Sequence, residues 1–377
     1  MMNDKKHKVK IETLTLVHVG SGENLRKDTD FFFDNGNICI IDERKLLDVI
    51  GKDNLYQWLN LVERSWEQQQ YRQQRPETVK QLVNRIKRNC PIERYTKRHF
   101  KCLAVEKTNT MRECIHDGMG KPYIPGSSIK GAIRTAILTS IAKDNAQQYI
   151  TFNGNNIDVN DSDIFGNSAN NSVFRFLQIG DAIFNEGDEV ATRLVLLNIH
   201  GNNGLFDDGH HKDQLVEAIS YNKVAYCNIK INNIANKSFS EQTNGETKSL
   251  PSVMQSPQSL FKAINEHTRR LLEGDIEFWN EYEGDEFKES YIKSDNEILA
   301  IIKTCKSNEC VLRLGHASGW NFITGGWAKE YPEFERRILS KARPGNRDRY
   351  YQYPFPKSRR VEDDGRILGF VKLSLMD

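Results

Sequence analysis

The chain has 377 residues, which is enough for two domains that each bury a hydrophobic core. Its 53 Lys and Arg residues against 51 Asp and Glu residues give a formal net charge of +2, so total charge alone does not indicate a nucleic-acid-binding protein. The seven cysteines include no CxxC pair, and their odd number argues against a disulfide framework and favours a reducing compartment. No apolar run approaches the roughly 18–20 residues that span a bilayer, so the sequence predicts a cytoplasmic protein without membrane contact.

The charges are distributed unevenly along the chain. Residues 85–107 carry eight basic side chains against two acidic ones, and residues 335–372 carry eleven against five. Between them, residues 273–297 carry ten carboxylates and two lysines. This asymmetry indicates separate surfaces for separate partners, and the plainer interpretation is a set of solvated helix faces.

The predicted elements of the first half alternate strands and helices irregularly. Residues 8–19 are predicted to form a strand that ends at a Gly-Ser-Gly turn. Residues 31–41 contain two apolar runs joined by Asp-Asn-Gly-Asn, which predicts a β-hairpin. Helices are predicted at 43–50, 54–70 and 77–88, followed by short strands and by a helix that begins at Ser127 and ends near residue 145. This order predicts an α+β fold.

A polar loop at residues 153–171 separates the first half of the chain from the second. We place the domain boundary there, which gives domains 1–160 and 161–377, the first with a helical insertion at about 43–100. The second half is predicted to contain strands at 173–179, 190–199, 223–231, 310–314 and 367–375, and helices at 259–272 and 286–306.

Residues 18–24, HVGSGEN, form the first glycine-rich motif. His18 precedes Gly20, Ser21 and Gly22, and the absence of a Cβ at the two glycines lets backbone amides approach a phosphate closely. A tight turn without a ligand is the alternative. The motif is not a Rossmann fingerprint, because a hairpin and not a helix follows it.

Residues 124–137, IPGSSIKGAIRTAI, form the second motif. The first amides of a helix that begins after Pro-Gly-Ser-Ser lack intrahelical partners, and the helix dipole adds positive charge there. Lys130 and Arg134 follow on one face of the helix. Gly126, Ser127 and Ser128 are therefore predicted to bind phosphate. The lysine precedes the second glycine, so the motif is not a Walker A loop. The alternative is a capped helix with a buried apolar stripe.

Residues 314–326, LGHASGWNFITGG, form the third motif. Its glycines and Trp320 suit a single nucleic-acid strand, with phosphates at the backbone amides and a base stacked on the indole. A buried core tryptophan is the alternative. The predicted contacts here are Gly315, Ser318, Gly319 and Trp320, and the late basic segment adds Arg359 and Arg360 for electrostatic attraction.

Two sets of side chains contain the residue types needed for other chemistry. His99, Cys102, Cys114 and His116 could together bind zinc, but their spacing matches no strong zinc signature, so we predict neither a metal nor another cofactor. The candidates for acid–base chemistry are His18, His200, His210, His211 and His316. No spacing assigns any of them a partner, so we predict no catalytic residue.

HVGSG at 18–22, IPGSSIKGAIR at 124–134 and LGHASGW at 314–320 resemble three motifs of the RAMP superfamily of CRISPR-associated proteins. The resemblance implies tandem ferredoxin-like, RRM-related modules with a helical insertion and glycine-rich loops. The chain length, the insertion and the ending PFPKSRRVEDDGRILGFVKL look most like the subunits that cap a type III-A (Csm) effector complex at the crRNA 3′ end. Such subunits are implied to hold crRNA, to contact the neighbouring RAMP subunit, and to support crRNA maturation by recruiting host nucleases.

The function predicted from the sequence is a non-catalytic crRNA-binding subunit in antiviral defence. One alternative is a repeat-cleaving endoribonuclease of the same superfamily, with His18 or His316 as its acid or base. The other alternative is the subunit that grips the crRNA 5′ tag.

Overall fold

The computed structural model describes residues 5–67, 77–104, 108–142, 146–153, 156–159, 161–199, 205–207, 213–243, 248–281, 286–323, 326–334, 355–356 and 358–376. The strands in these ranges are β1 (His7–Thr13), β2 (Gly20–Arg26), β3 (Phe31–Asp34), β4 (Asn37–Ile41), β5 (Thr96–Lys101), β6 (Thr110–Cys114), β7 (Tyr123–Ile124), β8 (Ile150–Asn153), β9 (Asn156–Val159), β10 (Leu177–Ile179), β11 (Ala182–Ile183), β12 (Glu189–Ile199), β13 (Leu205–Asp207), β14 (Gln214–Ile219), β15 (Val224–Ile231), β16 (Glu309–Arg313), β17 (Ser358–Glu362) and β18 (Phe370–Leu375).

The helices in the same ranges are α1 (Glu43–Ile50), α2 (Leu55–Glu67), α3 (Val79–Ile86), α4 (Gly126–Ala142), α5 (Ala146–Tyr149), α6 (Ser162–Phe165), α7 (Asn233–Gln242), α8 (Pro257–Asn280) and α9 (Glu286–Thr304). The mixture of helices and several sheets confirms the predicted α+β class. Within the described residues, no helix combines the length and the hydrophobicity needed to cross a lipid bilayer.

The first sheet is antiparallel and has the strand order β10-β15-β1-β18-β16. Strands β1, β10, β15 and β18, together with α4 after β1 and α8 after β15, follow the ferredoxin-like order of strand, helix, two strands, helix and strand. Strand β16 adds an edge. Alternate residues of β1, Val9 and Ile11, are buried in the same core as Ile129 and Ile133 of α4.

This sheet corrects the predicted domain boundary. Strand β1 pairs on one side with β15 and on the other with β18, so its partners lie beyond residue 160. The first sheet therefore contains strands from both predicted domains, 1–160 and 161–377. The polar loop that suggested the boundary is a local signal, whereas strand pairing between such distant segments leaves no local trace.

The second sheet has the order β13-β12-β14-β6-β2, with β17 also paired to β12. Strands β14 and β6 run parallel, and the other pairs in this sheet are antiparallel. Strand β2 begins at Gly20, so the predicted strand over residues 8–19 is wrong at its end: β1 ends at Thr13, and the Gly-Ser-Gly segment starts a new strand. The β2–β6 register shifts between Gly20 and Asn24.

A third sheet, β3-β4-β5, carries the helical insertion. The predicted hairpin over residues 31–41 is confirmed, because β3 and β4 pair antiparallel across a turn in which Gly36 has a φ of +77°. The predicted insertion at about 43–100 contains α1, α2 and α3, and the chain then returns as β5 beside β4. Leu46, Leu82 and Val83 bury their side chains in a core that this sheet shares with its helices.

Close packing at the start of α4 gives a test of the fold. A Cβ added at Gly126 would overlap the carbonyl oxygen of Ile179. We expect Gly126→Ala to lower the free energy of unfolding by about 1–3 kcal/mol, measured by denaturant titration. Gly131 in the same helix is the control, since a Cβ there meets nothing within 4 Å. Gly131→Ala should stabilise the protein by about 0.5–1 kcal/mol, and equal effects of the two changes would contradict this packing.

Candidate nucleic-acid interface

The first and third glycine-rich motifs are in direct contact. The backbone amide of His316 donates to the carbonyl oxygen of His18 at 2.8 Å, and the two imidazole rings meet edge to face with centroids 5.6 Å apart. Gly315 has a φ of +81°, and a Cβ there would lie 2.5 Å from the same carbonyl oxygen. Glycine is therefore required where the two chain segments cross.

The second motif lies beside the first through a short ladder of backbone hydrogen bonds. The amide of Ile115 donates to the carbonyl oxygen of Val19 at 2.8 Å, and the amide of Tyr123 donates to that of Ile115 at 3.3 Å. Tyr123 leads directly through Pro125 into α4. All three motifs therefore belong to one region, a juxtaposition that the sequence pattern did not reveal.

The N-terminus of α4 differs from the predicted open anion site. The amide of Gly126 donates to a carboxylate oxygen of Asp181 at 2.7 Å, and the amide of Ser128 donates to the carbonyl oxygen of Pro125 at 2.9 Å. The Asp181 carboxylate thus stands where a phosphate was expected. This corrects the prediction that the amides of Gly126 and Ser128 await a ligand, although Ser127 remains exposed.

Lys130 and Arg134 lie one turn apart on α4 but have different surroundings. Arg134 forms an ion pair with Asp161, and its guanidinium lies 4.7 Å from the ring centroid of Phe165. Lys130 is half-buried, and burial lowers the pKa of its ammonium group. It makes no ion pair with a residue that the structure describes. Lys130 is therefore the better placed of the two to meet a phosphate.

Trp320 and Arg359, both predicted to contact RNA, pack against the protein itself. Trp320 is half-buried, with its ring centroid 4.8 Å from that of Phe355. Arg359 is only 6% exposed, forms an ion pair with the buried Asp275, and donates to the carbonyl oxygens of Pro356 and Ser358. Arg359 is thus turned inward, which corrects its predicted place on an RNA-binding surface.

Arg112 and Arg360 lie close enough to His316 and to each other for their charges to interact, and we call these two arginines the arginine patch. Strand register places Arg112 beside Val216 of β14 and Arg360 beside Leu196 of β12, on the second sheet. Arg112 is exposed and makes no ion pair with a described residue. Burial, and then the charge of Arg112, lowers the pKa of Arg360. The sequence interpretation missed Arg112, although its position next to the buried Met111 in an alternating strand could have indicated exposure.

The Gly-Ser-Gly segment of β2 lies over a second group, which we call the Glu217 cluster. Its members are Arg98, Glu113, His116, Glu189 and Glu217. The Arg98 Nη2 atom donates to Glu113 at 3.0 Å and to Glu217 at 3.1 Å. The hydroxyl of Ser21 donates to the Glu113 carboxylate at 3.2 Å, so the exposed motif and the buried cluster are joined. No local pattern in the sequence indicates that Arg98 pairs with Glu217, because the two residues lie on strands distant in the chain.

The four side chains considered for zinc binding do not come together. His99 is exposed on β5 opposite Cys39, whereas the buried Cys114 thiol lies 3.6 Å from His18 Nδ1. Within the described ranges, the donor atoms that gather instead belong to Glu113, His116 and Glu217. Of the acid–base candidates, His18 and His316 are in contact. His200, His210 and His211 lie outside the described residues.

The model of the RAMP superfamily matches residues 10–320, so the chain belongs to the RAMP superfamily. A curated relative, the CRISPR system Cms protein Csm5 of Streptococcus thermophilus, is 26% identical over 165 residues. That alignment covers 40% of this chain and 43% of the relative, so the chain aligns with less than half of the relative's length. The resemblance inferred from the three motifs is confirmed.

Two solved structures share the fold along nearly the whole chain. A chain of the Csm–crRNA–target RNA ternary complex of a type III-A CRISPR-Cas system superposes with a TM-score of 0.69 at 18% identity, covering 98% of this chain and 100% of that one. Csm5 of T. onnurineus gives a TM-score of 0.61 at 16% identity, covering 96% and 99%. This similarity independently supports the overall fold described above.

Arg359 and Arg360 are neighbours in the chain, but Arg359 neutralises a buried carboxylate and Arg360 belongs to the arginine patch. Arg359→Met would leave Asp275 charged and buried without its partner, so we expect a loss of about 3–5 kcal/mol in the free energy of unfolding. Arg360→Met should cost about 1 kcal/mol or less, because the side chain is only half-buried. Urea titration of both variants measures the difference, and equal stability would show that Asp275 does not depend on Arg359.

The lowered pKa of His316 predicts how the free energy of unfolding changes as the pH falls. Burial, with the charges of His18, Arg112 and Arg360, lowers the pKa of His316 from 6.5 to about 4. Between these values the unfolded chain binds a proton that the folded chain does not, so this group's contribution to the free energy of unfolding falls as pH falls. We expect His316→Gln to lose less stability than the wild type between about pH 8 and about pH 4.5. If the free energies of unfolding of the variant and the wild type changed by the same amount across that range, a lowered pKa of His316 in the folded protein would be contradicted.

Proposed function

We propose that this protein is a non-catalytic, crRNA-binding subunit of a type III-A (Csm) interference complex and that it caps the crRNA 3′ end. The observation that carries the proposal is the similarity over 98% of the chain to a chain of a Csm–crRNA–target RNA complex. Membership of the RAMP superfamily and the curated relative Csm5 support the same assignment. The partners are then crRNA and the neighbouring subunits of the complex.

The arginine patch and the first motif supply a surface suited to an RNA backbone. Arg112 and Arg360 provide the positive charge that attracts phosphates, and phosphate contacts of this kind position RNA without reading its sequence. Gly20, Ser21 and Gly22 are exposed, and the register of β2 with β6 pairs Gly20 with Cys114 and Asn24 with Arg112, so this segment lies close to Arg112 along the strand. A subunit that holds guides of any sequence requires such sequence-independent contacts.

Binding without cleavage agrees with the state of the two histidines. Metal-independent RNA cleavage needs a proton donor and a proton acceptor on either side of one phosphate. His18 is 2% exposed, and its Nδ1 lies 2.5 Å from the carbonyl oxygen of Glu217. The Nε2 of His316 lies 3.0 Å from the amide oxygen of Gln214. Both rings are engaged within the protein, which favours a role in holding the two motifs together.

The 3′ position and the support of maturation come from the resemblance to capping subunits. In this proposal, the subunit protects the guide's end and recruits host nucleases that trim it in the cytoplasm. The 5′-tag-binding subunit is the competing assignment. It is distinguished by which end of the guide this chain contacts.

Photo-crosslinking in a reconstituted complex tests the proposal. With crRNA labelled separately at each end, we expect adducts at the 3′ end. We also expect the Arg112→Gln, Arg360→Gln double variant to weaken RNA binding about tenfold or more and to reduce the salt slope by about 2. The control is Arg44→Gln with Arg269→Gln, which also removes two positive charges but at exposed positions elsewhere in the chain.

Two results would contradict the assignment. Adducts confined to the 5′ tag would identify the other subunit. Specific cleavage of repeat RNA in the presence of a chelator, lost on His316→Ala, would identify a ribonuclease. Equal losses of affinity in the arginine variant and its control would mean that the arginine patch is not the binding surface.

A further inference from the structure

The Glu217 cluster contains three side chains whose donor atoms converge. Glu113 is on β6, His116 follows that strand, and Glu217 is on β14, which runs parallel to β6. One donor atom from each residue lies within 4.8 Å of the other two. Glu217 is fully buried, and the side chain of His116 is 10% exposed. The two strands therefore bring one imidazole nitrogen and two carboxylate oxygens together in the protein interior.

The hydrogen bonds of His116 determine which nitrogen faces the carboxylates. Its Nδ1 lies 2.8 Å from the carbonyl oxygen of Cys114, and a carbonyl oxygen can only accept, so Nδ1 carries a proton. Its Nε2 is buried, lies 3.3 Å from a Glu217 oxygen, and has no hydrogen-bond partner among the described residues. In a neutral imidazole this nitrogen is an acceptor, so two acceptors would face each other without a cation between them.

The charges of the cluster point in the same direction. Arg98 is its single guanidinium and bonds to both Glu113 and Glu217. Glu189 is 2% exposed, and one of its carboxylate oxygens has no partner in the described part of the chain. Buried carboxylates without matching positive charge are costly. The cluster therefore requires further positive charge on the side of His116, as either a proton or a metal ion.

The donor arrangement favours a metal ion over a proton. A proton on Nε2 serves Glu217 alone, whereas an ion between the three donors also reaches Glu113. Metal-binding histidines characteristically donate their other ring N–H to a backbone carbonyl, as His116 does to Cys114. We propose that Glu113, His116 and Glu217 form a binding site for one divalent transition-metal ion of the Zn²⁺ or Mn²⁺ type. Mg²⁺ and Ca²⁺ prefer sites made of oxygen atoms alone.

The site has a structural consequence for the first motif. The Glu113 oxygen not used by Arg98 accepts the hydroxyl of Ser21. An ion that holds Glu113 in place thereby holds the exposed start of β2. This role is independent of whether the protein belongs to the complex proposed above, because it concerns the chain alone.

Metal binding by the purified full-length chain tests the inference. After treatment with a chelator and dialysis, the protein is incubated separately with Zn²⁺, Mn²⁺, Mg²⁺ and Ca²⁺, passed over a gel-filtration column, and analysed by elemental analysis and thermal unfolding. We expect one equivalent of Zn²⁺ or Mn²⁺ to be retained with a rise in Tm, and no retention of Mg²⁺ or Ca²⁺. His116→Gln should weaken binding about tenfold or more.

Controls and a second variant keep the test decisive. His99→Gln changes an exposed histidine on β5 and should retain full metal stoichiometry. Glu113→Gln removes a partly exposed ligand and replaces His116→Gln if that variant does not fold. Absence of retained metal, or equal binding by the ligand variants and the wild type, would overturn the inference. So would an NMR spectrum in which His116 is doubly protonated and unchanged by added Zn²⁺.

Discussion

The buried carboxylate of Glu217 is the interaction on which the candidate surface depends. Removing a charge from water is expensive unless other groups neutralise and hydrogen-bond it. Here Arg98 of β5 and the amide of Cys114 in β6 donate to the Glu217 carboxylate. The backbone carbonyl oxygen of Glu217 lies 2.5 Å from Nδ1 of His18. Since the backbone of His18 also accepts from His316, one residue connects two sheets to two glycine-rich motifs.

Arginine serves two distinct purposes in this protein. Arg98 and Arg359 form ion pairs with the buried carboxylates of Glu217 and Asp275, so their charges are neutralised in the protein interior. Arg112 is exposed and Arg360 is half-buried on the second sheet, where their charges raise the local electrostatic potential. A formal net charge of +2 is therefore compatible with a local basic patch, because the net charge does not describe where the charged side chains lie.

Local features were predictable from the sequence, and long-range partners were not. The turn at Gly36 and the start of α4 each depend on a few adjacent residues, so the pattern placed them within a residue or two. The three motifs were recognisable because positions such as Gly315 need a conformation that only glycine adopts readily. The partnership of Gly126 with Asp181, and that of Arg359 with Asp275, depends on folding of distant segments, for which a single sequence offers no evidence.

The place of β1 between β15 and β18 has a consequence for biosynthesis. On a ribosome, the first strand emerges long before residues 370–375, yet it needs them to complete its hydrogen bonds. Until then, one edge of β1 stays open to pairing with other nascent chains. Completion of the ferredoxin-like sheet therefore waits for these residues, and its yield should depend on how well that edge is shielded in the interval.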